Sequence, residues 1–310
     1  MPGTTHLLCL VMAFLVWGCA GSLSRQWLVP AADTPDQVVI PAVPFFPQTE
    51  YQCGPAALAM TLVWSGVSTS PDRLTPIVYT PSIKGSLQPA MITAARRHAR
   101  LAYVISSPQE LMQELAAGHP VIVLQNLGLS WAPVWHYAVV MGYDLNTKRI
   151  VLHSGEARHT TTKMRVFTNT WSRSAYWGLL TLPPGHLPAT ATEVPYLQAV
   201  LGLEKAEKWP QAVLGYQAAT QEWPDNFAAH MGVGNALYAM GDLPAAEQAF
   251  NTAVERFPDE GAAYNNLAQV LFELGKIKAA VSAAEQAVRL GGPLSEPYQE
   301  TLRDIQRWSK

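Results

Sequence analysis

The residue best suited to covalent chemistry in this sequence is Cys53, which is followed directly by Gly54 and Pro55. Proline is favoured at the first position of a helix, where its missing N–H would have had no intrahelical partner. Small and apolar residues continue to Met60, so the sequence predicts a buried helix that begins next to the thiol. The positive end of the helix dipole would stabilise a thiolate there. On these residues alone, Cys53 is either a reactive nucleophile or a buried structural cysteine.

The other two cysteines, Cys9 and Cys19, lie in or just after an apolar segment that spans residues 7–17. A run of about eleven apolar residues is too short to cross a membrane and suits the core of an export signal. The segment leads into Gly18-Cys19-Ala20, which resembles the end of a bacterial lipoprotein signal. The resemblance implies that residues 1–18 are removed, that Cys19 carries lipid, and that the protein is held at the outer membrane facing the periplasm.

Loss of the signal would leave Cys53 as the only free thiol of the mature chain, in an oxidising compartment. It would then have no partner for an internal disulfide, and it has no companion ligands at zinc spacing. This favours a cysteine that is kept for its chemistry. Residues 19–37 are polar and contain proline, which is typical of a tether between membrane and domain.

Among eight histidines, His136 is the best candidate for a base to activate the thiol. It opens an apolar strand, predicted over residues 136–143, and a side chain at a strand end can face a cleft. The alternative is a histidine that only caps the edge of a strand. A second strand over residues 149–152 follows the turn residues Asp144-Leu-Asn-Thr-Lys148.

The elements around these residues predict an α+β domain. Helical signals precede the histidine, and strand signals surround it. The predicted helices span residues 54–64, 71–78, 86–97 and about 108–117, with a short helix or loop at 166–173. The predicted strands span residues 38–40, 101–105, 121–124, 136–143, 149–152 and 176–182.

A repeat of 34 residues begins near Glu193. Three columns show it, and they are Ala212, Ala246 and Ala280; Ala219, Ala253 and Ala287; and Pro224, Pro258 and Gly292. Small residues where paired helices approach and a proline that closes each unit are typical of tetratricopeptide repeats. Residues 193–310 are therefore predicted to form about three units and a capping helix over 295–308, an all-α solenoid.

The spacing of Gln48, Cys53-Gly-Pro-Ala and His136-Tyr-Ala-Val-Val-Met-Gly-Tyr-Asp resembles the bacteriocin-processing peptidase family. These are papain-like cysteine peptidases that cut double-glycine leaders, and the resemblance covers a domain over residues 38–186. It implies that Cys53 is the nucleophile, that His136 is its general base, and that the Gln48 amide and the Cys53 backbone N–H form the oxyanion hole. Gln52 is a competitor for the role of Gln48, but its adjacency to Cys53 makes the reach awkward.

The third catalytic member departs from the family pattern. Where the family has an aspartate, after the strand that follows the histidine, this sequence has Leu152-His153-Ser154-Gly155. Ser154 is the first candidate to orient the imidazole, and the alternatives are His153, a water or a backbone carbonyl. Asp144 begins the turn at the far end of the His136 strand, out of reach.

The composition limits the classes of partner that are expected. With a net charge of −2 and no basic stripe, the chain gives no reason to expect nucleic acid, and no cofactor or metal is expected. The sequence predicts a cysteine peptidase with a peptide or protein substrate, a protein partner on the repeats and a lipid anchor in the membrane. The alternative is an inactive peptidase-like domain that acts as a peptide-binding scaffold, and a transglutaminase or amidase is a third option. The sequence contains no ATP-binding loop of the Gly-x-x-x-x-Gly-Lys-Ser/Thr type, so the transport function of the family is not expected from it.

Overall fold

The computed structural model describes residues 35–48 and 51–308. The predicted signal (1–18), the candidate lipidation site Cys19 and most of the predicted tether (19–37) lie outside these residues. None of the described helices is both long and apolar enough to cross a membrane.

Three of the five helices of the first domain begin with a proline at their first or second position. Ser107 caps one of these three, because its hydroxyl accepts from the Glu110 N–H at 3.2 Å and donates to the Glu110 carboxylate at 2.8 Å. Pro108 follows at the first helical position, and the Glu110 carboxylate also accepts from the Ser106 N–H at 2.9 Å. The helices are α1 (Cys53–Trp64), α2 (Pro71–Val78), α3 (Gln88–Arg97), α4 (Pro108–Ala116) and α5 (Met164–Trp171). The prediction for α3 began two residues early, because Ser86 belongs to a short strand instead.

A seven-stranded sheet forms the other half of this domain, and each of its strand pairs is antiparallel. The strands are β1 (Gln37–Val39), β2 (Tyr79–Thr80), β3 (Gly85–Ser86), β4 (Leu101–Ile105), β5 (Val121–Asn126), β6 (Trp135–Asp144), β7 (Arg149–Ser154), β8 (Ala157–Lys163) and β9 (Gly178–Leu182). The order in the large sheet is β4-β9-β5-β6-β7-β8, and β1 pairs with the far end of β6 through Gln37 and Asp144. A separate pair, β2 and β3, lies beside the start of α1.

Helix pairs follow from Glu193 onward. Small residues let them approach, and Gly234 shows why, since a Cβ there would collide with the ring of Phe250. The alanine columns of the sequence are buried where paired helices meet. The helices are α6 (Glu193–Glu204), α7 (Trp209–Glu222), α8 (Phe227–Ala239), α9 (Leu243–Arg256), α10 (Gly261–Glu273), α11 (Ile277–Leu290) and α12 (Ser295–Trp308). The predicted fold class, an α+β domain followed by an all-α repeat region, is confirmed.

A buried carboxylate joins the two parts. Glu114 on α4 is fully buried, and it accepts hydrogen bonds from the Thr190 N–H at 2.7 Å and the Thr190 hydroxyl at 2.6 Å. His119 Nδ1 lies 2.7 Å from the same carboxylate. Tyr103 on β4 donates to the Thr190 carbonyl at 3.0 Å. The segment that leads into α6 is therefore fixed to the sheet domain by polar contacts as well as by apolar packing.

Candidate active site

Cys53 is the first residue of α1, as the Gly-Pro sequence after it predicts. The chain approaches it through Tyr51, whose φ of 63° is in the left-handed region. Gly54 lies tightly against β3, because a Cβ at this position would collide with the Ser86 hydroxyl. Of the described residues Cys53 is the one cysteine, and its thiol is free and half-buried. The fold therefore holds the thiol at a helix start that is packed from the side, with part of its surface still open.

The electrostatics of the thiol differ from the expectation of a stabilised thiolate. Burial raises the pKa of Cys53, and hydrogen bonds from the backbone of Tyr137, Gly54 and Cys53 itself act in the opposite direction without cancelling it. The helix start thus acts to lower the pKa of the thiol, as the sequence predicts, but burial away from solvent raises this pKa by more. The thiol is the favoured form at neutral pH in the free protein.

One of these backbone contacts comes from the residue next to the predicted base. Tyr137, whose backbone contacts the sulfur, directly follows His136 on β6. Burial lowers the pKa of His136 below the usual range of histidine, so the imidazole is neutral at pH 7. A neutral imidazole can accept the proton of a thiol.

Ser154 contacts the imidazole directly, with its Oγ 2.9 Å from His136 Nε2. Ser154 is the last residue of β7, which pairs with β6, and an irregularity in the pairing of β7 with β8 lies between Leu152 and Ser154. With Nε2 occupied by the serine, Nδ1 is the ring nitrogen left to act as the base. Ser154 is thus placed as an orienting group, and the role itself stays a prediction.

The alternatives to Ser154 lie elsewhere. His153 is fully buried on the other side of the strand, where its Nε2 is 3.2 Å from the Val43 carbonyl and its Nδ1 accepts from the His159 N–H at 3.2 Å. Both of its ring nitrogens are therefore occupied. Asp144 is at the opposite end of β6, eight residues from His136 or about 26 Å along an extended strand. It accepts from the Thr147 N–H at 2.9 Å and stabilises a turn.

Gln48 is buried and held on two sides. Its Nε2 donates to the Tyr137 carbonyl at 3.1 Å, and its Oε1 accepts from the Gly155 N–H at 2.7 Å. These partners define the orientation of the amide, because a flipped amide would place donor against donor and acceptor against acceptor. One amide hydrogen remains beside Tyr137, the residue whose backbone contacts the Cys53 sulfur. Gln52, the competitor, is the residue that precedes α1, and its carbonyl accepts from Ala56.

Gly155 is a contributor that the sequence analysis missed. Its N–H and its carbonyl both bond to Gln48, the carbonyl accepting from the Gln48 N–H at 3.0 Å. Its φ of 61° is in the left-handed region that glycine adopts most easily. The signal available in the sequence was a glycine directly after the predicted strand and next to Ser154. The turn from β7 to β8 therefore fixes the amide that is predicted to bind the oxyanion.

Within residues 35–48 and 51–308, no group of three His, Cys, Asp or Glu side chains could hold a metal ion. The arrangement is that of a thiol, a neutral imidazole with an oriented ring, and an amide donor. Such a set can carry out acyl transfer through a thioester.

Comparisons with known families match two separate parts of the chain. Residues 40–178 match the family described as Peptidase_C39 like. Residues 197–251 and 234–294 match the tetratricopeptide repeat family. The chain therefore has an N-terminal α+β domain that matches the C39-like peptidase family, followed by an all-helical region that matches tetratricopeptide repeats. A search of curated proteins gives no match.

Solved structures show similarity to each part separately. A putative C39-like peptidase from Bacillus anthracis is 17% identical, with 47% of this chain and 97% of that chain covered and a TM-score of 0.39. The type III secretion chaperone SycD of Yersinia enterocolitica, in complex with a peptide of the translocator YopD, is 17% identical over 39% of this chain and 98% of that chain, with a TM-score of 0.36. The TPR2B domain of yeast Sti1 in a complex with pHsp70 is 16% identical over 37% and 97%, also at 0.36.

Proposed function

We propose that this chain is an exported, membrane-tethered cysteine peptidase that hydrolyses peptide bonds by a Cys–His mechanism. In this proposal the repeats recruit a protein or peptide. The observation that carries the proposal is the contact between His136 Nε2 and Ser154 Oγ at 2.9 Å, next to the residue whose backbone contacts the Cys53 sulfur. In this proposal the contact orients a neutral imidazole toward the free thiol at the start of α1. The match of residues 40–178 to a peptidase family agrees with this chemistry.

The reaction follows from the positions of these groups. The Cys53 sulfur attacks the substrate carbonyl carbon while His136 Nδ1 accepts the thiol proton. The Gln48 amide and the Cys53 N–H donate to the oxygen that becomes negative. His136 then gives its proton to the leaving amine, and a thioester remains on Cys53. A water that His136 deprotonates attacks the thioester, which releases the acid and restores the thiol.

The neutral serine in the orienting position makes a preformed ion pair unfavourable. Burial raises the pKa of Cys53 and lowers that of His136, and Ser154 supplies no negative charge to reverse either shift. Proton transfer is therefore expected to accompany attack rather than to precede it. A slow peptidase, selective for substrates that bind well, is the expected behaviour.

The test of the proposal is loss of hydrolysis on removal of the nucleophile. The full chain is incubated with denatured casein, and release of acid-soluble peptides is compared between the wild type, Cys53→Ala and His136→Ala. Both variants are expected to lose at least about a hundredfold in rate, since they remove the nucleophile and its base. His186→Ala, which changes an exposed histidine, is the matched control and is expected to keep full activity. Full activity of Cys53→Ala would refute a peptidase that uses this thiol.

A second candidate function is supported by one specific observation, the serine in place of an acid beside His136. A peptidase-like domain with an uncharged orienting group could bind peptides without cutting them. This function predicts no hydrolysis of casein by the wild type and equal binding of fluorescent casein peptides by the wild type and Cys53→Ser. The same two measurements therefore separate the two functions.

The location is proposed from the sequence of residues 1–20 alone. We propose lipidation at Cys19 and attachment to the outer membrane on the periplasmic side. Expression in a bacterium with radiolabelled palmitate is expected to label the wild type and not Cys19→Ala. Equal labelling of the two would refute the anchor without affecting the proposed chemistry at Cys53.

A further inference from the structure

A rigid hairpin lies directly before the candidate base. It spans residues 127–134, between β5 and β6, and its arms are joined by a hydrogen bond from the Leu127 N–H to the Val134 carbonyl at 2.9 Å. Near its tip Leu129 and Ala132 exchange two backbone hydrogen bonds, at 3.1 and 3.2 Å. The hairpin is therefore a defined element rather than an open loop.

Polar side chains beneath the hairpin hold it in place. Asn126 is 3% exposed, and its Oδ1 accepts from the Gly128 N–H at 3.0 Å and the Val134 N–H at 2.9 Å. Arg173 donates to the Asn126 carbonyl at 3.0 Å and also to the Gly128 carbonyl. Asn126, directly before the hairpin, and Arg173, distant in sequence, thus fix its base.

The outer surface of the hairpin is apolar. Trp131 is 80% exposed at the tip, and Val134 and Trp135 are 57% and 50% exposed next to His136. From Leu127 to Trp135 the sequence contains no ionisable residue. Exposure of so many large apolar side chains in one short stretch is unusual unless they meet a partner.

A second group of exposed apolar side chains lies next to β3, which packs against Gly54 at the start of α1. Ile83 and Leu87, each 52% exposed, flank β3. The Tyr137 hydroxyl donates to the Ser86 carbonyl at 3.1 Å, and Gly54 packs against the Ser86 hydroxyl. Leu87 follows Ser86 and Trp135 precedes His136, so both groups adjoin, in the chain, residues of the candidate site.

We propose that these residues, here called the apolar rim (Ile83, Leu87, Trp131, Val134 and Trp135), select substrates that carry bulky apolar side chains beside the scissile bond. This inference rests on the proposed peptidase function and names its substrate class, exposed apolar segments of unfolded polypeptides. A polypeptide is favoured over a bilayer because rim residues adjoin, in the chain, residues of the candidate site. Trp135 precedes His136, and Leu87 follows Ser86, which Gly54 contacts.

The test compares two peptidyl chloromethyl ketones of equal length on the full chain. One carries leucine and phenylalanine next to the reactive carbon, and the other carries serine and asparagine. The second-order rate of Cys53 modification is read by peptide mass spectrometry. We expect the apolar probe to react at least about tenfold faster, which corresponds to about 1.4 kcal/mol.

Substitution of rim residues is expected to remove this preference without changing the intrinsic reactivity of the Cys53 thiol. In the double variant Leu87→Ser with Trp135→Ser, the ratio of the two rates should fall below about threefold, while the rate with iodoacetamide stays as in the wild type. Trp308→Ser is the matched control, because Trp308 is 77% exposed on α12, in the repeat region. It should leave the ratio unchanged.

Three results would overturn the assignment of the rim. They are equal rates with the two probes, no faster reaction with either probe than with iodoacetamide, and an undiminished preference in the double variant. Sedimentation with vesicles of phosphatidylethanolamine and phosphatidylglycerol is the further arm. Vesicle binding that is lost in Trp131→Ser, together with equal probe rates, would assign the hairpin to a membrane instead. Casein hydrolysis that survives Cys53→Ala refutes the peptidase itself, whereas equal probe rates with Cys53-dependent hydrolysis refute only the rim.

Discussion

Ser154 is the position where one substitution should change the chemistry of the site most. In Ser154→Asp a carboxylate would stand near His136 Nε2, where the serine oxygen is now 2.9 Å away. A carboxylate at this range raises the pKa of a histidine by about 1–3 units, and each unit corresponds to about 1.4 kcal/mol. Burial opposes introduction of the new charge, so we expect about one to two units. The charged imidazole would in turn lower the pKa of the Cys53 thiol.

The pH dependence of alkylation measures this change. Iodoacetamide reacts with the thiolate, so the rate at Cys53 follows its ionisation. In the wild type, burial raises the pKa of Cys53, and the rate should rise with pH to a midpoint above that of an ordinary thiol. In Ser154→Asp the midpoint should move down by about one to two units. Peptide mass spectrometry separates modification of Cys53 from modification of the other cysteines.

Ser154→Ala is the matched control. It removes one neutral hydrogen bond, worth about 1 kcal/mol, so casein hydrolysis should fall about fivefold with no downward shift of the midpoint. Identical alkylation profiles for the wild type and Ser154→Asp, in a variant with unchanged circular dichroism, would refute the reasoning. In that case the contact with Ser154 would not control the state of His136.

Three further predictions concern the scaffold. Glu114→Gln should lower the free energy of unfolding by about 2–4 kcal/mol, measured in urea, because a buried carboxylate that holds Thr190 is replaced by a group with fewer acceptors. Gly142→Ala should lower it by about 1–3 kcal/mol, since a Cβ there would collide with the Val38 carbonyl. Stability should also fall below about pH 6.5, because burial lowers the pKa of His153 and the unfolded chain then binds a proton before the folded one does.

Each scaffold prediction has a result that contradicts it. If Glu114→Gln had the same urea midpoint as the wild type, the contacts between Glu114 and Thr190 would contribute no net stability. An unchanged urea midpoint in Gly142→Ala would mean that β1 moves to accommodate the added methyl group without loss of stability. For the pH effect, His153→Gln should flatten the dependence of the urea midpoint between pH 7 and pH 5. A variant with the same slope as the wild type would assign the effect to other groups.

Local patterns in the sequence predicted most of the elements, and the failures have physical causes. β8 (157–163) was missed because most of its side chains are exposed, so the strand shows no alternation of apolar and polar residues. Its threonines pair with β7 through the backbone, and the Thr161 hydroxyl also accepts from the Arg149 guanidinium at 3.2 Å. The lowered pKa expected of Cys53 was wrong for a related reason. The helix start is a local feature, whereas the burial that outweighs it comes from β3 and β6.

Sequence alone determined the features that depend on neighbouring residues. The 34-residue period specifies repeats because each unit packs chiefly on the next, and Gly-Pro after Cys53 specifies where α1 begins. The tertiary structure decided the features that depend on contacts between residues far apart in the chain. Whether Ser154 or His153 meets His136 follows from strand register, because adjacent residues of a strand face opposite sides of the sheet. Gln48 is likewise oriented by Tyr137 and Gly155, about a hundred residues away, whose positions no local pattern could supply.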